Sequence, residues 1–299
     1  MTVPGSRATH RWGFEAIGTR WEIQAPRPFT GPERARVRSV VDEFDAQWSR
    51  FRPDSVVSQL GRAGGSLPAP PDAADMLAAY AELSAATAEA VNPLVGAALE
   101  RLGYDRAYSF RAGAPLPAPD DWRETLSVGD GRLVLGGPAV IDVGALGKGR
   151  LVDLVAAALP ADVAEHAVVD AGGDLLARGA PLRVGLEHPY DPSRAIGVWE
   201  VRDAALCASA TNRRSWGDGL HHVLDARTGV PVRTVVATWA VGGDAMRADA
   251  VATALFFEGG PQLAHRWGVA WVRMLSSGRV EYSPGCAATL FTSADNVDS

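Results

Sequence analysis

Lysine is almost missing from this 299-residue chain: Lys148 is the only one, and the other 28 strong bases are arginine. Cysteine is scarce too. Cys207 and Cys286 lie far apart in no metal-binding spacing, and two reduced thiols is the simplest reading. With six histidines, no His-Glu-x-x-His and no cysteine pair, the chain lacks the pattern of a zinc site. Positive charge is in deficit: the net charge of −6 excludes the basic footprint of a binder of nucleic acid or anionic membranes. No apolar run reaches transmembrane length, and Met1 to His10 lack the apolar stretch of a signal peptide. As given, the chain reads as cytoplasmic unless a leader precedes it.

What is present is ordinary globular material, 47% apolar and 21% charged, long enough to bury a sizeable core. Residues 12–24 alternate like an opening strand around Gly18. Pro32 opens a helix over 33–51, with Val37, Val40, Val41, Phe44 and Trp48 at helical spacing. Ser55 caps a short successor, 61–71 reads as a Gly/Pro loop, and 72–91 is an alanine-rich helix that Asn92-Pro93 breaks. Strands are expected at 126–128 and 132–135 as a hairpin, then at 140–143, 167–170, 182–186, 196–201, 222–224, 235–241 and 271–275. Helices are expected at 150–159 and 244–258. This interleaving, without a composition break, predicts one α/β (α+β) domain over residues 1–299, two-lobed, with mixed sheets flanked by helices. Residues 1–12 are expected to be a flexible N-terminus.

Three segments carry chemistry. Ile141-Asp-Val-Gly-Ala-Leu-Gly-Lys-Gly149 is a glycine-dense turn ahead of a helix, and it holds the one lysine. Glycines there let backbone N–H groups approach an anion, and a compact ammonium enters where a planar guanidinium does not fit. The alternative is a tight turn, which accounts for the glycines but not for Lys148 or Asp142. The spacing is neither Walker A nor a dinucleotide fingerprint. In the second segment, Asp249 and Thr253 stand four apart on a helix, so a carboxylate and a hydroxyl share one face. They are hard oxygen ligands suited to Mg²⁺, or else Asp249 is a structural residue near a helix start. The third segment is His221-His-Val-Leu-Asp-Ala-Arg-Thr-Gly229, where Asp225 and Gly229 mark a turn. Paired strand histidines face opposite ways, so a single site-facing histidine able to exchange a proton is expected rather than a zinc pair. Asp170-Ala-Gly-Gly-Asp174 and Ala208-Ser-Ala-Thr-Asn-Arg-Arg214 add two further corners.

Read in order, these segments resemble the ApbE family of FAD:protein FMN transferases. Asp142-Val-Gly-Ala-Leu-Gly-Lys148-Gly is similar to the family's Asp-Leu-Gly-x-Ile-Ala-Lys-Gly. Asp170 to Asp174 resembles its Gly-Gly-Asn/Asp corner, His222 to Gly229 its His-x-x-Asp-Pro-x-Thr-Gly, and Ala248 to Thr253 its Ala-Asp-Ala-x-x-Thr helix. Upstream, Ala16-Ile-Gly-Thr19, Trp48-Ser-Arg-Phe51 through Ser55, and Asn92-Pro93 through Gly103-Tyr104 resemble three more family pieces, so the likeness runs from about residue 14 to 260.

The resemblance implies FAD held in a nucleotide cleft between two lobes, with Mg²⁺ at the pyrophosphate. Asp249, Thr253 and the carbonyl of Ala145 match the metal positions. Asp142, Lys148 and His222 match FAD-contacting, catalytic positions, and Ile17, Phe51, Gly103 and Tyr104 match the lining of the cleft. The implied reaction passes FMN to a threonine hydroxyl of a partner protein and releases AMP. FAD pyrophosphatase activity and non-catalytic FAD binding are the alternatives. This chain departs from the family pattern at Ile17, Gly61, Ala208 to Ala210 and Ala226, changes that bear on nucleotide fit and acceptor choice. The missing signal peptide is a further departure, because the family is usually exported.

Overall fold

The computed structural model describes residues 2–3, 10–217 and 219–291. Its centre is an eight-stranded sheet. In spatial order the strands are Val280–Tyr282, Ala270–Leu275, Val235–Gly242, Ala204–Ala210, Asp174–Ala177, Val168–Asp170, Thr19–Ala25 and His10–Ala16. Each neighbouring pair is antiparallel. A second antiparallel sheet joins Thr2–Val3, Leu182–His188, Asp191–Val201 and Thr289–Leu290. The α+β side of the expected class is therefore the one realised, and the paired strands are antiparallel where mixed sheets were expected.

Strand alternation gives the central sheet two apolar faces. Leu175, Leu206, Val236, Trp239, Val272 and Met274 pack on Val184, Leu186, Trp199 and Val201 of the second sheet. The opposite face, including Leu176, Ala205, Cys207 and Ala240, is covered by helices Gly31–Trp48, Ala73–Ala86, Gly147–Ala158 and Ala245–Ala254. The first of these starts as the sequence predicts. Thr30 and Glu33 form a reciprocal capping box, Pro32 sits in the first turn, and Val37, Val41, Phe44 and Trp48 are buried. Ser55 likewise caps Val56–Ala63.

Several expectations are corrected. The opening strand is a hairpin, because Ile17 and Gly18 both turn at positive φ (44° and 73°). Residues 10–12, inside the stretch expected to be flexible, belong to its first strand with Trp12 buried. Thr2–Val3 pair with Arg183 and Val184, while residues 1 and 4–9 lie outside the described residues. Residues 140–143 form no strand: the N–H of Asp142 donates to Pro93 O at 2.8 Å instead of joining a ladder. The 222–224 strand is broken in two, with Leu220–His221 pairing backward to Ser215–Trp216 and Leu224–Asp225 pairing forward to Val230–Pro231. The 61–71 loop holds the end of one helix and the strand Gly65–Pro68.

Candidate functional site

Helix Gly147–Ala158 and helix Ala245–Ala254 cross at Gly149. A Cβ there would lie 2.2 Å from Ala245 O and 2.7 Å from the Asp249 Cβ, so only glycine permits the approach. The contact has a chemical consequence. The N–H of Gly149 donates to Asp249 Oδ2 at 2.8 Å, which sets a buried carboxylate next to the first turn that carries Lys148. The anion met by this glycine loop is, in part, the chain's own aspartate.

Lys148 reaches the strand corner at Asp174, with Nζ 2.7 Å from Oδ2. Asp174 is wholly buried, and Oδ2 has no aligned hydrogen-bond donor, so its compensation is that ammonium charge. Oδ1 accepts from the N–H of Ala208 at 3.2 Å. Burial by itself would push Lys148 down; the carboxylates of Asp174 and Asp249 outweigh it and hold the ammonium above its ordinary pKa. Asp249 is pushed well above the carboxylate range, first by burial and then by the charge of Asp174.

Thr253 lies one turn beyond Asp249, and its hydroxyl donates to Ala145 O at 3.3 Å. One carboxylate, one hydroxyl and one carbonyl therefore converge from two segments. Among the described residues no three His, Cys, Asp or Glu side chains gather as a metal set. A cation here would rely on these mixed oxygens and on water, as Mg²⁺ does. A carboxylate pushed up by burial and by a second carboxylate is what a hard dication would relieve, and the residues fit such an ion.

Asp142 is held from two sides. Oδ1 accepts from the N–H of Gly144 at 2.7 Å, and Oδ2 accepts from Arg50 Nε at 2.6 Å. Arg50 is nearly buried and stacks over the rings of Phe51 at 4.1 Å and Tyr104 at 5.0 Å. His222 is neutral, its pKa pushed down to about 3 by burial and by the charge of Arg214, and its Nδ1 is buried without a partner. His221 points elsewhere, with Nε2 2.9 Å from Val232 O, so the two histidines do separate, across a bend at His222 rather than along a strand. Arg227 and Thr228 bond within the Asp225 turn, as expected.

These groups line one cavity of about 900 Å³. Ile17, Phe51, Tyr104, Asp142, Ala145, Lys148, His222, Asp249 and Thr253 all reach its wall. Gly103 does not. Its φ is +91°, and a Cβ would meet Arg111 N at 2.4 Å, so it serves the fold-back of the following loop. Residue reading missed Asp174 as the lysine's partner, although the corner it ends was recognised. It also missed Arg50, whose partner Asp142 is 92 positions away.

Comparison with solved structures places the fold first. Flavin Transferase ApbE from Vibrio cholerae superimposes with a TM-score of 0.77 at 20% identity, covering 92% of this chain and 97% of that one. The apo flavinyl transferase ApbE of Pseudomonas stutzeri gives 0.76 at 23%, covering 92% and 95%. The family follows from sequence. Residues 17–271 match the model of the ApbE family, and the chain belongs to it. The FAD:protein FMN transferase of Treponema pallidum is 29% identical over 287 residues, 81% of this chain and 77% of the relative. That of Rhodobacter capsulatus is also 29% identical, over 93% of this chain and 57% of the relative. No helix of the described residues is long and apolar enough to cross a membrane.

Proposed function

We propose that the chain binds FAD in this cavity and, with Mg²⁺, transfers the FMN moiety to a threonine hydroxyl of a partner protein, releasing AMP. The observation that supports it is the meeting, in one cavity, of the Lys148 ammonium, the Asp249–Thr253–Ala145 oxygens and an unpartnered neutral His222. Asp249, Thr253 and the carbonyl of Ala145 would hold the metal. Bound there, Mg²⁺ would neutralise charge on the phosphoanhydride oxygens.

The chain's own residues supply the rest. Lys148, fixed by Asp174, presents a compact positive charge to phosphate oxygens and stabilises the charge that develops as the anhydride breaks. Asp142, clamped by Arg50 and Gly144, shapes the loop that carries Ala145. His222 or a nearby carboxylate takes the proton of the attacking hydroxyl. The hydroxyl oxygen forms a bond to the FMN phosphorus, the anhydride P–O bond breaks, and AMP leaves with the electron pair. Burial keeps His222 unprotonated before the reaction, and its basicity would rise when the negative pyrophosphate lies beside it.

Binding tests the reading at its first step. A cavity organised around a pyrophosphate binds FAD more tightly than riboflavin, which has the same ring system and no phosphate. A fluorescence titration giving equal affinities would rule out a pyrophosphate-centred site.

A further inference from the structure

Five aromatic rings close into a circuit on one wall of the cavity. Ring centroids are 5.5 Å apart for Phe51–Tyr104, 5.5 Å for Tyr104–Trp216, 5.8 Å for Trp216–Phe110, 6.0 Å for Phe110–Tyr108 and 5.2 Å for Tyr108–Phe51. Tyr104 and Trp216 are buried, but Tyr108 and Phe110 keep 45% and 47% of their surface exposed. Large exposed rings on a cavity wall are surface left for a ligand to cover.

The loop that carries these two rings is built to hold them. The N–H of Phe110 returns to Gly103 O at 2.9 Å, closing the loop, and the Asp105 carboxylate accepts from the N–H groups of Ala107 and Ser109. Tyr108 and Phe110 both sit at left-handed backbone angles, φ 48° and 50°, which side-chain-bearing residues adopt only at a cost. Neither is replaced by glycine or asparagine, which would relax the backbone and lose the ring. The same cavity holds Lys148, Arg213 and Arg214. A ring wall beside cations matches a ligand carrying both a planar heteroaromatic ring and phosphate.

We propose that Tyr108 and Phe110 form a ring-stacking subsite for one of the two planar rings of the dinucleotide, isoalloxazine or adenine, and so select ring-bearing substrates. The proposal rests on the FAD reading above and adds to it residues that its motifs do not contain.

Calorimetric titration of the full chain with FAD, FMN and ADP tests it, using Tyr108→Phe, Tyr108→Ala, Tyr108→Gly and Phe110→Ala, each first checked for wild-type melting. Tyr108→Ala and Phe110→Ala should weaken FAD about ten-fold, the scale of one stacking contact. Tyr108→Phe should bind like the wild type. Tyr108→Gly, which suits the positive φ but has no ring, should stay as weak as the alanine variant. A parallel loss for FMN with ADP unchanged assigns the subsite to isoalloxazine, and the reverse pattern assigns it to adenine. Wild-type affinity in both alanine variants, or its recovery in Tyr108→Gly, would overturn the subsite while leaving the FAD reading intact. A wild-type chain that binds none of the three ligands would overturn both.

Discussion

The Lys148–Asp174 pair yields the sharpest prediction. Lys148→Met keeps the length and apolar stem of the side chain and removes the ammonium. That strands the Asp174 carboxylate, which has no exposed surface and retains only the Ala208 N–H at 3.2 Å. Removing one partner of a buried pair costs roughly 3–5 kcal/mol. Lys148 keeps 21% of its side chain exposed, so some solvent screening remains and the low end applies, about 3 kcal/mol. Asp174→Asn added to Lys148→Met removes the stranded charge and should recover most of that loss. Lys148→Arg preserves the charge, so the fold should change little. A larger planar group in a space shaped for an ammonium should still lower turnover at least ten-fold, about 1.4 kcal/mol of barrier. Urea unfolding at neutral pH reads the stabilities, and AMP release reads turnover. Lys148→Met within about 0.5 kcal/mol of the wild type, or Lys148→Arg with unaltered turnover, would refute the reasoning.

Two further outcomes follow from the oxygen set and from the histidine. Asp249→Asn keeps an acceptor for the Gly149 N–H and removes the ionisable carboxylate a dication would need, and Thr253→Val keeps shape; both should stay folded yet lose AMP release, non-additively, as EDTA treatment does. Activity surviving at limiting Mg²⁺ in either variant would dismiss the metal set. His222 has a folded pKa of about 3 against an ordinary 6.5, so between those values the unfolded chain binds the extra proton and stability rises with pH. The slope is up to about 1.4 kcal/mol per pH unit and vanishes above the window. Denaturation at pH 4 to 7 should give a steeper rise in the wild type than in His222→Asn, and equal slopes in the two would contradict the burial argument.

Local signals were readable wherever a segment specifies itself. The Thr30–Glu33 cap, the buried stripe from Val37 to Trp48 and the Asp225 turn needed no partner to be recognised. Asp249 and Thr253 were legible as a pair because helical spacing fixes them on one face. Reading failed where a distant partner decides. The alternation of residues 12–24 continues through Ile17 and Gly18, so periodicity alone cannot mark the reversal. Residues 140–143 have strand-like composition, yet they serve Pro93, Arg50 and Tyr80 rather than a sheet. The aromatic circuit draws on residues from 51 to 216, and nothing local announces that Tyr108 and Trp216 share a wall. The family resemblance matches Gly103 to the cleft lining, whereas its positive φ serves the loop.

The central claim, transfer of FMN to a protein hydroxyl, is tested most directly by one incubation. The chain is mixed with FAD, Mg²⁺ and a candidate acceptor protein, and AMP release is followed alongside the intact mass of the acceptor. The account predicts AMP in one-to-one proportion with an acceptor that gains the mass of FMN less one water on a threonine, and no gain when that threonine is replaced by valine. AMP release with free FMN and an unmodified acceptor, across acceptors that related transferases modify, would contradict it and make water the acceptor.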